Sequence, residues 1–188
     1  MTQYPIPIVK EGWPQGTLDL EIDSQGNPWV GVMYQSAIAR FDRKTEKFQF
    51  WRTPKEWDTD GGQLGHLAID GTPTDHKVWI KNSDVGNIYR LDLISNKFEN
   101  LGNFRDPQTG KRIGTYGLHS DAQNNVYLLD FSAGNIVRID AKTKEPTVYR
   151  TPTPDSRPRR GRVDREGGYG LANTRATPSA CLIPGPKR

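Results

Sequence analysis

The chain has 188 residues, of which 34% are hydrophobic and 10% aromatic, and its formal net charge is +4. That length allows one domain or two, the aromatic content excludes a disordered body, and no stretch approaches the ~18 apolar residues of a membrane helix. The N-terminus, MTQYPIPIVKEGWP, has neither the basic region nor the apolar run of a signal peptide. A single cysteine, Cys181, excludes an internal disulfide. Much of the positive excess sits in Arg157, Arg159, Arg160, Arg162 and Arg165, so the charge is local and does not mark a nucleic-acid-binding chain. Turn formers are abundant, with 19 Gly and 14 Pro, and long apolar runs are few, which points to all-β structure.

Three segments align in chain order: Leu18–Pro54, His66–Gly102 and Tyr116–Pro152. A fourth opens at Arg160 and loses the pattern after Gly167. In the first segment a predicted strand ends at Asp23-Ser24-Gln25-Gly26-Asn27, where Asp and Asn bond the backbone and Gly accepts positive φ. A second strand begins at Trp29-Val30; after the third comes a polar turn, Arg43–Lys47. The fourth strand, Phe48–Trp51, stops at Thr53-Pro54, where a missing N–H costs nothing on an edge. The second segment repeats the plan with Val78-Trp79-Ile80, a Gly86-Asn87 hairpin and the alternating run Ile88–Asp92. The third repeats it with Asp121–Asn125, Val126-Tyr127-Leu128, Gly134-Asn135, Ile136–Asp140 and Thr147–Tyr149, ending at Thr151-Pro152. In each third strand the apolar positions are expected to face the next unit, and the Arg to face water.

The leading aspartates, Asp23, Asp70, Asp121 and Asp164, recur at intervals of 47, 51 and 43 residues. The second set, Asp42, Asp92 and Asp140, recurs at 50 and 48. A period of ~40–50 residues with four strands per unit is the signature of propeller blades. A β-sandwich with regular hairpins is the alternative, but its strands do not repeat side-chain chemistry at fixed offsets. The predicted fold is therefore all-β: a partial β-propeller of about three four-stranded antiparallel blades. It spans residues 1–167, with blades at 18–54, 66–102 and 116–152 and the start of another at 157–167. Tyr4–Val9 is expected to add part of an outer strand from a preceding blade. Repeat units bury their apolar faces only against neighbours, so open blade faces predict self-association.

The pattern D-x-x-G-N-x-W/Y, then N-x-I-x-R-I/L-D-x-x-T, then Y/W-x-x-P resembles the streptogramin (virginiamycin B) lyase-like propellers, whose relatives include gluconolactonase-like and NHL-repeat propellers. Gly134–Pro152 is the best match, and the likeness runs from Tyr4 to about Gly167. The resemblance implies a seven-bladed parent ring that binds a small or peptidic ligand. It also implies a magnesium-dependent elimination by His and Glu on inner-strand loops. Here the stretches that correspond to the family's His-Gly motif read Gly65-His66-Leu67-Ala68 and Gly117-Leu118-His119-Ser120. No catalytic residue or metal ligand is therefore carried over, and the chain itself is expected to be inactive and to need no cofactor. A non-enzymatic scaffold for protein partners and a lactonase-type metal hydrolase are the alternatives.

The candidate ligand-binding residues are His66, His119, Arg157, Arg159 and Arg160. The two histidines fall in first-strand segments, which line a propeller's central channel. They either bind a ligand there or serve as hydrogen-bonded structural residues. The arginines either form a solvated loop or an anion-binding patch, since guanidinium forks suit carboxylates and phosphates. No aromatic stacking platform adjoins them in sequence, so nucleic acid is not expected as a partner. The leading aspartates are repeat-equivalent and read as turn caps, and Trp29 and Trp79 share one repeat offset and read as core.

After Gly167 the chain reads GYGLANTRATPSACLIPGPKR, without strand alternation. One reverse translation of Gly168–Lys187, read one base over, gives LWFGEYPGNSIGMFDPGTK, which is the missing blade-four repeat. Residues 168–188 are therefore expected to be a frame-shifted, irregular or disordered tail.

Overall fold

The computed structural model describes residues 1–57, 64–68, 75–83, 85–153, 155–164, 168–172 and 180–183, and only the backbone of 64–68, 172 and 180–183. Four antiparallel sheets follow one another along the chain. The first holds β1 (Thr17–Ile22), β2 (Pro28–Val32), β3 (Ala37–Asp42) and β4 (Lys47–Arg52). The second holds β5 (Leu64–Ala68), β6 (Lys77–Asn82), β7 (Ile88–Asp92) and β8 (Lys97–Asn100). The third holds β9 (Thr115–Ser120), β10 (Val126–Asp130), β11 (Asn135–Ile139) and β12 (Pro146–Arg150). The fourth has three strands, β13 (Arg160–Val163), β14 (Tyr169–Ala172) and β15 (Ala180–Ile183). Strands pair in chain order within each sheet, and the first strands stand side by side, β1 against β5, β5 against β9 and β9 against β13. This is the propeller arrangement, with first strands innermost.

The aspartate turns build the blades. Asp23 Oδ1 accepts from the Gln25 and Asn27 amides at 2.9 and 2.8 Å, and Asp23 Oδ2 accepts from the Trp29 indole at 3.0 Å. Asp121 repeats this with the Gln123 and Asn125 amides at 3.0 and 2.9 Å, and Asp164 accepts from the Gly168 amide at 2.6 Å. Asp70 lies outside the described residues. The second aspartates work the same way: Asp42, Asp92 and Asp140 each accept from the amides two and three residues on. In Asp42 and Asp140 those amide bonds are the leading influence that holds the carboxyl below the usual carboxylate range. A deprotonated carboxylate accepts such bonds best.

The blades join through three apolar layers. Trp29, Ile38 and Trp51 of the first sheet meet Val78, Ile80, Tyr89 and Leu91 of the second, with Trp29 and Trp51 stacked at 5.1 Å. Trp79 and Ile88 meet Leu118, Val126, Leu128, Val137 and Ile139. Tyr127, Leu129 and Ile136 meet Tyr169 and Leu171. Polar ties cross the same seams: the Trp51 indole donates to Asn96 Oδ1 at 2.8 Å, and the Trp79 indole to the Asn124 carbonyl at 2.9 Å.

Four expectations change. The third-strand arginines are not fully in water: each sits opposite the aromatic residue of its second strand, as Trp29–Arg40, Trp79–Arg90 and Tyr127–Arg138, with Arg40 and Arg138 half-buried. Arg90 is buried, 5.2 Å over the Trp79 ring, and donates to the Ala141 carbonyl at 2.7 Å. The Gly134-Asn135 hairpin is not a tight two-residue turn, because Asp130 pairs with Asn135 and leaves Phe131–Gly134 as the loop; Gly134 takes φ 72°. Tyr4–Val9 forms no strand; Ile6 and Val9 pack against the buried cluster of Val32, Ala37 and Ala39 as a covering segment. Finally, residues 169–172 and 180–183 are strands and not irregular tail. Pairing with β13 satisfies their backbone, and Tyr169 stacks on Tyr127 at 4.6 Å. The remainder of the expected tail, 173–179 and 184–188, lies outside the described residues.

Candidate functional site

A cavity of about 560 Å³ lies between the inner strands β1, β9 and β13. Its walls are Asp19 and Glu21 of β1, Gly117 and Leu118 of β9, and Arg160 and Arg162 of β13. Alternation along β1 sends Asp19 and Glu21 into the cavity while Leu18, Leu20 and Ile22 stay exposed on the opposite face. Gly117 allows the close approach of β13, since a Cβ there would stand 2.5 Å from the Arg159 carbonyl oxygen.

Two ion pairs cross from the fourth blade to the first: Arg160 to Asp19 at 3.4 Å, and Arg162 to Glu21. Each joins residues 141 positions apart. Arg162 also approaches His119 Nδ1 at 3.0 Å. A guanidinium only donates, so Nδ1 accepts and the imidazole is neutral, with its proton on Nε2. Burial first, then the charge of Arg162, pulls the His119 pKa down to about 4. Burial pushes the Glu21 carboxyl above its ordinary value, and the bond and charge of Arg162 oppose that rise. One arginine thus holds a neutral imidazole and a carboxylate on three inner strands.

The predicted residues divide. His119 stands behind the cavity wall, bonded to Arg162, while Arg159 and Arg160 line the cavity itself. His66 pairs with Lys81 across β5 and β6, and its side chain lies outside the described residues. Arg157 and Arg159 stand 5.1 Å over the Phe131 ring, and Arg159 also 5.1 Å over Tyr116. Arg160 reaches both Tyr116, at 5.9 Å, and Asp19. Sequence reasoning missed Asp19, Glu21 and Arg162 as a connected set, because the contact joins non-adjacent blades. Period-two alternation in Thr17–Ile22 was the available signal. Among the described residues no group of three or more His, Cys, Asp or Glu side chains could hold a metal ion.

No family model and no curated protein sequence matches the chain. Solved propeller structures do. Virginiamycin B lyase from Staphylococcus aureus is similar at a TM-score of 0.63 and 15% identity, over 93% of this chain and 57% of that one. A streptogramin B lyase structure is similar at 0.67 and 15%, over 100% of this chain and 59% of that one. Hydrazine synthase from Kuenenia stuttgartiensis is similar at 0.68 and 13%, over 94% and 47%. The chain thus spans a little over half the length of the two lyases, and the likeness establishes the β-propeller fold.

Proposed function

We propose that the chain binds a small or peptidic ligand in the cavity between β1, β9 and β13, and does not turn it over. The observation that supports this reading is the cavity itself: about 560 Å³, with carboxylates from β1 facing guanidiniums from β13. Such paired charges suit a ligand that carries amide donors and acceptors, which both wall types can bond. A cyclic depsipeptide fits this description, and quinupristin, bound by an inactive variant of the similar Staphylococcus aureus lyase, is the probe to use.

In an amide-resolved NMR titration, quinupristin is expected to shift the signals of Gly117, Gly161 and Gly170, which line the cavity. Chromatography of the same mixture with magnesium should show the intact ring. Unmoved glycine signals would refute binding of this ligand class at this place, and a linearised product would refute the inactive reading. One arrangement favours a second reading, a proton-abstracting lyase: His119 is a neutral imidazole beside Glu21, both held by Arg162. A base held near 4 is too weak to work well at neutral pH, which is why binding without turnover is preferred.

A further inference from the structure

The ion pairs of the cavity between β1, β9 and β13 are unequal in their exposure to water. The Glu21 side chain is 11% exposed, and the Arg162 side chain that pairs with it is 61% exposed. Asp19 and Arg160 repeat the contrast at 14% and 54%. Alternation along β1 fixes both carboxylates inward, whereas the arginines reach them from β13 on long side chains. Each arginine also has a second contact. Arg162 approaches His119 Nδ1 at 3.0 Å, and Arg160 stands 5.9 Å from the centre of the Tyr116 ring.

This asymmetry decides which member of a pair a ligand can displace. A guanidinium that is mostly in water regains hydrogen bonds to water when it lets go, so its release costs little. A carboxylate held out of water needs a partner. An anionic ligand that took Arg162 would leave Glu21 buried and unpaired. A cationic ligand that took Glu21 would leave Arg162 with water and with His119. The remaining wall is largely apolar. Leu118, Leu129 and Leu171 line it and are buried, and Gly117, Gly161 and Gly170 present backbone without a side chain. An apolar body beside a charged head therefore meets matching surfaces in one cavity.

We propose that the ligand of this cavity is a small organic cation, an ammonium or guanidinium on an apolar body, whose head replaces Arg162 at Glu21 while its body lies on Leu118, Leu129 and Leu171. The proposal rests on the reading of the cavity as a ligand site, and adds the sign of the ligand's charge and the side chain it displaces.

Hexylamine and hexanoate, matched in tail and opposite in charge, test it by NMR titration at pH 7, read at the Gly117, Gly161 and Gly170 amides. Hexylamine is expected to shift these signals saturably, with affinity about 10-fold above that of hexanoate. E21Q should lower hexylamine affinity about 10-fold. R162Q removes the competing guanidinium, so it should bind hexylamine several-fold more tightly than the wild type; an arginine that only shapes the cavity predicts weaker binding instead. Circular dichroism checks that both variants fold, and the comparison of amine with acid needs only the unaltered chain. Hexanoate binding as tight as hexylamine overturns the proposal, as does unchanged or weaker hexylamine binding in R162Q. Glycine signals that move with quinupristin but not with hexylamine overturn the proposal and leave the cavity a ligand site. Signals that move with neither overturn both.

Discussion

Single side chains carry two consequences that can be measured. The Tyr169 hydroxyl is buried with no hydrogen-bond partner among the described residues, although its ring stacks on Tyr127. Burial pushes its pKa far above the ordinary value. An unmet buried hydroxyl costs about 1–3 kcal/mol, so Tyr169→Phe keeps the stack and should raise stability by about 1 kcal/mol in urea unfolding; a loss would mean the hydroxyl has a partner. Lys81 gives a pH signature. Its folded pKa of about 8 lies below the ordinary 10.5, so at pH 7 the buried ammonium costs about 3 kcal/mol. The unfolded chain holds this proton more tightly between those values, so the cost fades as pH rises from 8 toward 10.5. K81M should therefore exceed the wild type in stability at pH 7, and its lead should shrink by pH 10. A pH-independent difference would contradict the account.

At the scale of elements, the repeat was legible because each blade uses the same local chemistry. Asp23 and Asp121 close their turns on amides within four residues, and such short-range bonds leave a fixed sequence spacing. The third-strand arginines were misplaced because alternation gives the face of a residue, not what covers it. Arg90 is covered by Trp79 and by Ala141 of the next blade. Strand β14 was missed because Gly168–Ala172 lacks alternation, and backbone pairing to β13 supplies what the side chains do not. Of the cavity, the sequence showed Arg159 and Arg160 of its lining, and His119, which stands behind it as a partner of Arg162. Its ion pairs link β1 to β13, and no local pattern reports that distance. The approach of β13 to β9 rests on Gly117, where a Cβ would meet a backbone oxygen that cannot turn aside. Gly117→Ala should cost about 1–3 kcal/mol as overpacking and weaken ligand binding in the cavity. Unchanged stability would show that the two strands have room to part.

The molecule as a whole is a row of stacked sheets, each burying its faces against its neighbours. Residues 1–9 cover only part of the first blade's outer face, through Ile6 and Val9. Leu18, Leu20 and Ile22 of β1 remain exposed on one face. This face is expected to drive association of copies: sedimentation velocity should show concentration-dependent growth that Leu20→Lys suppresses, and identical behaviour of the two proteins would remove the face from consideration. The most direct test of the central claim, stacked blades around a cavity of inner strands, is hydrogen–deuterium exchange resolved by peptide. Buried strands open least, so β6, β7, β10 and β11, whose residues are nearly all buried, should exchange slowest, and the N-terminal segment before β1 fastest. Exchange of β10 and β11 as fast as that segment would contradict the propeller account.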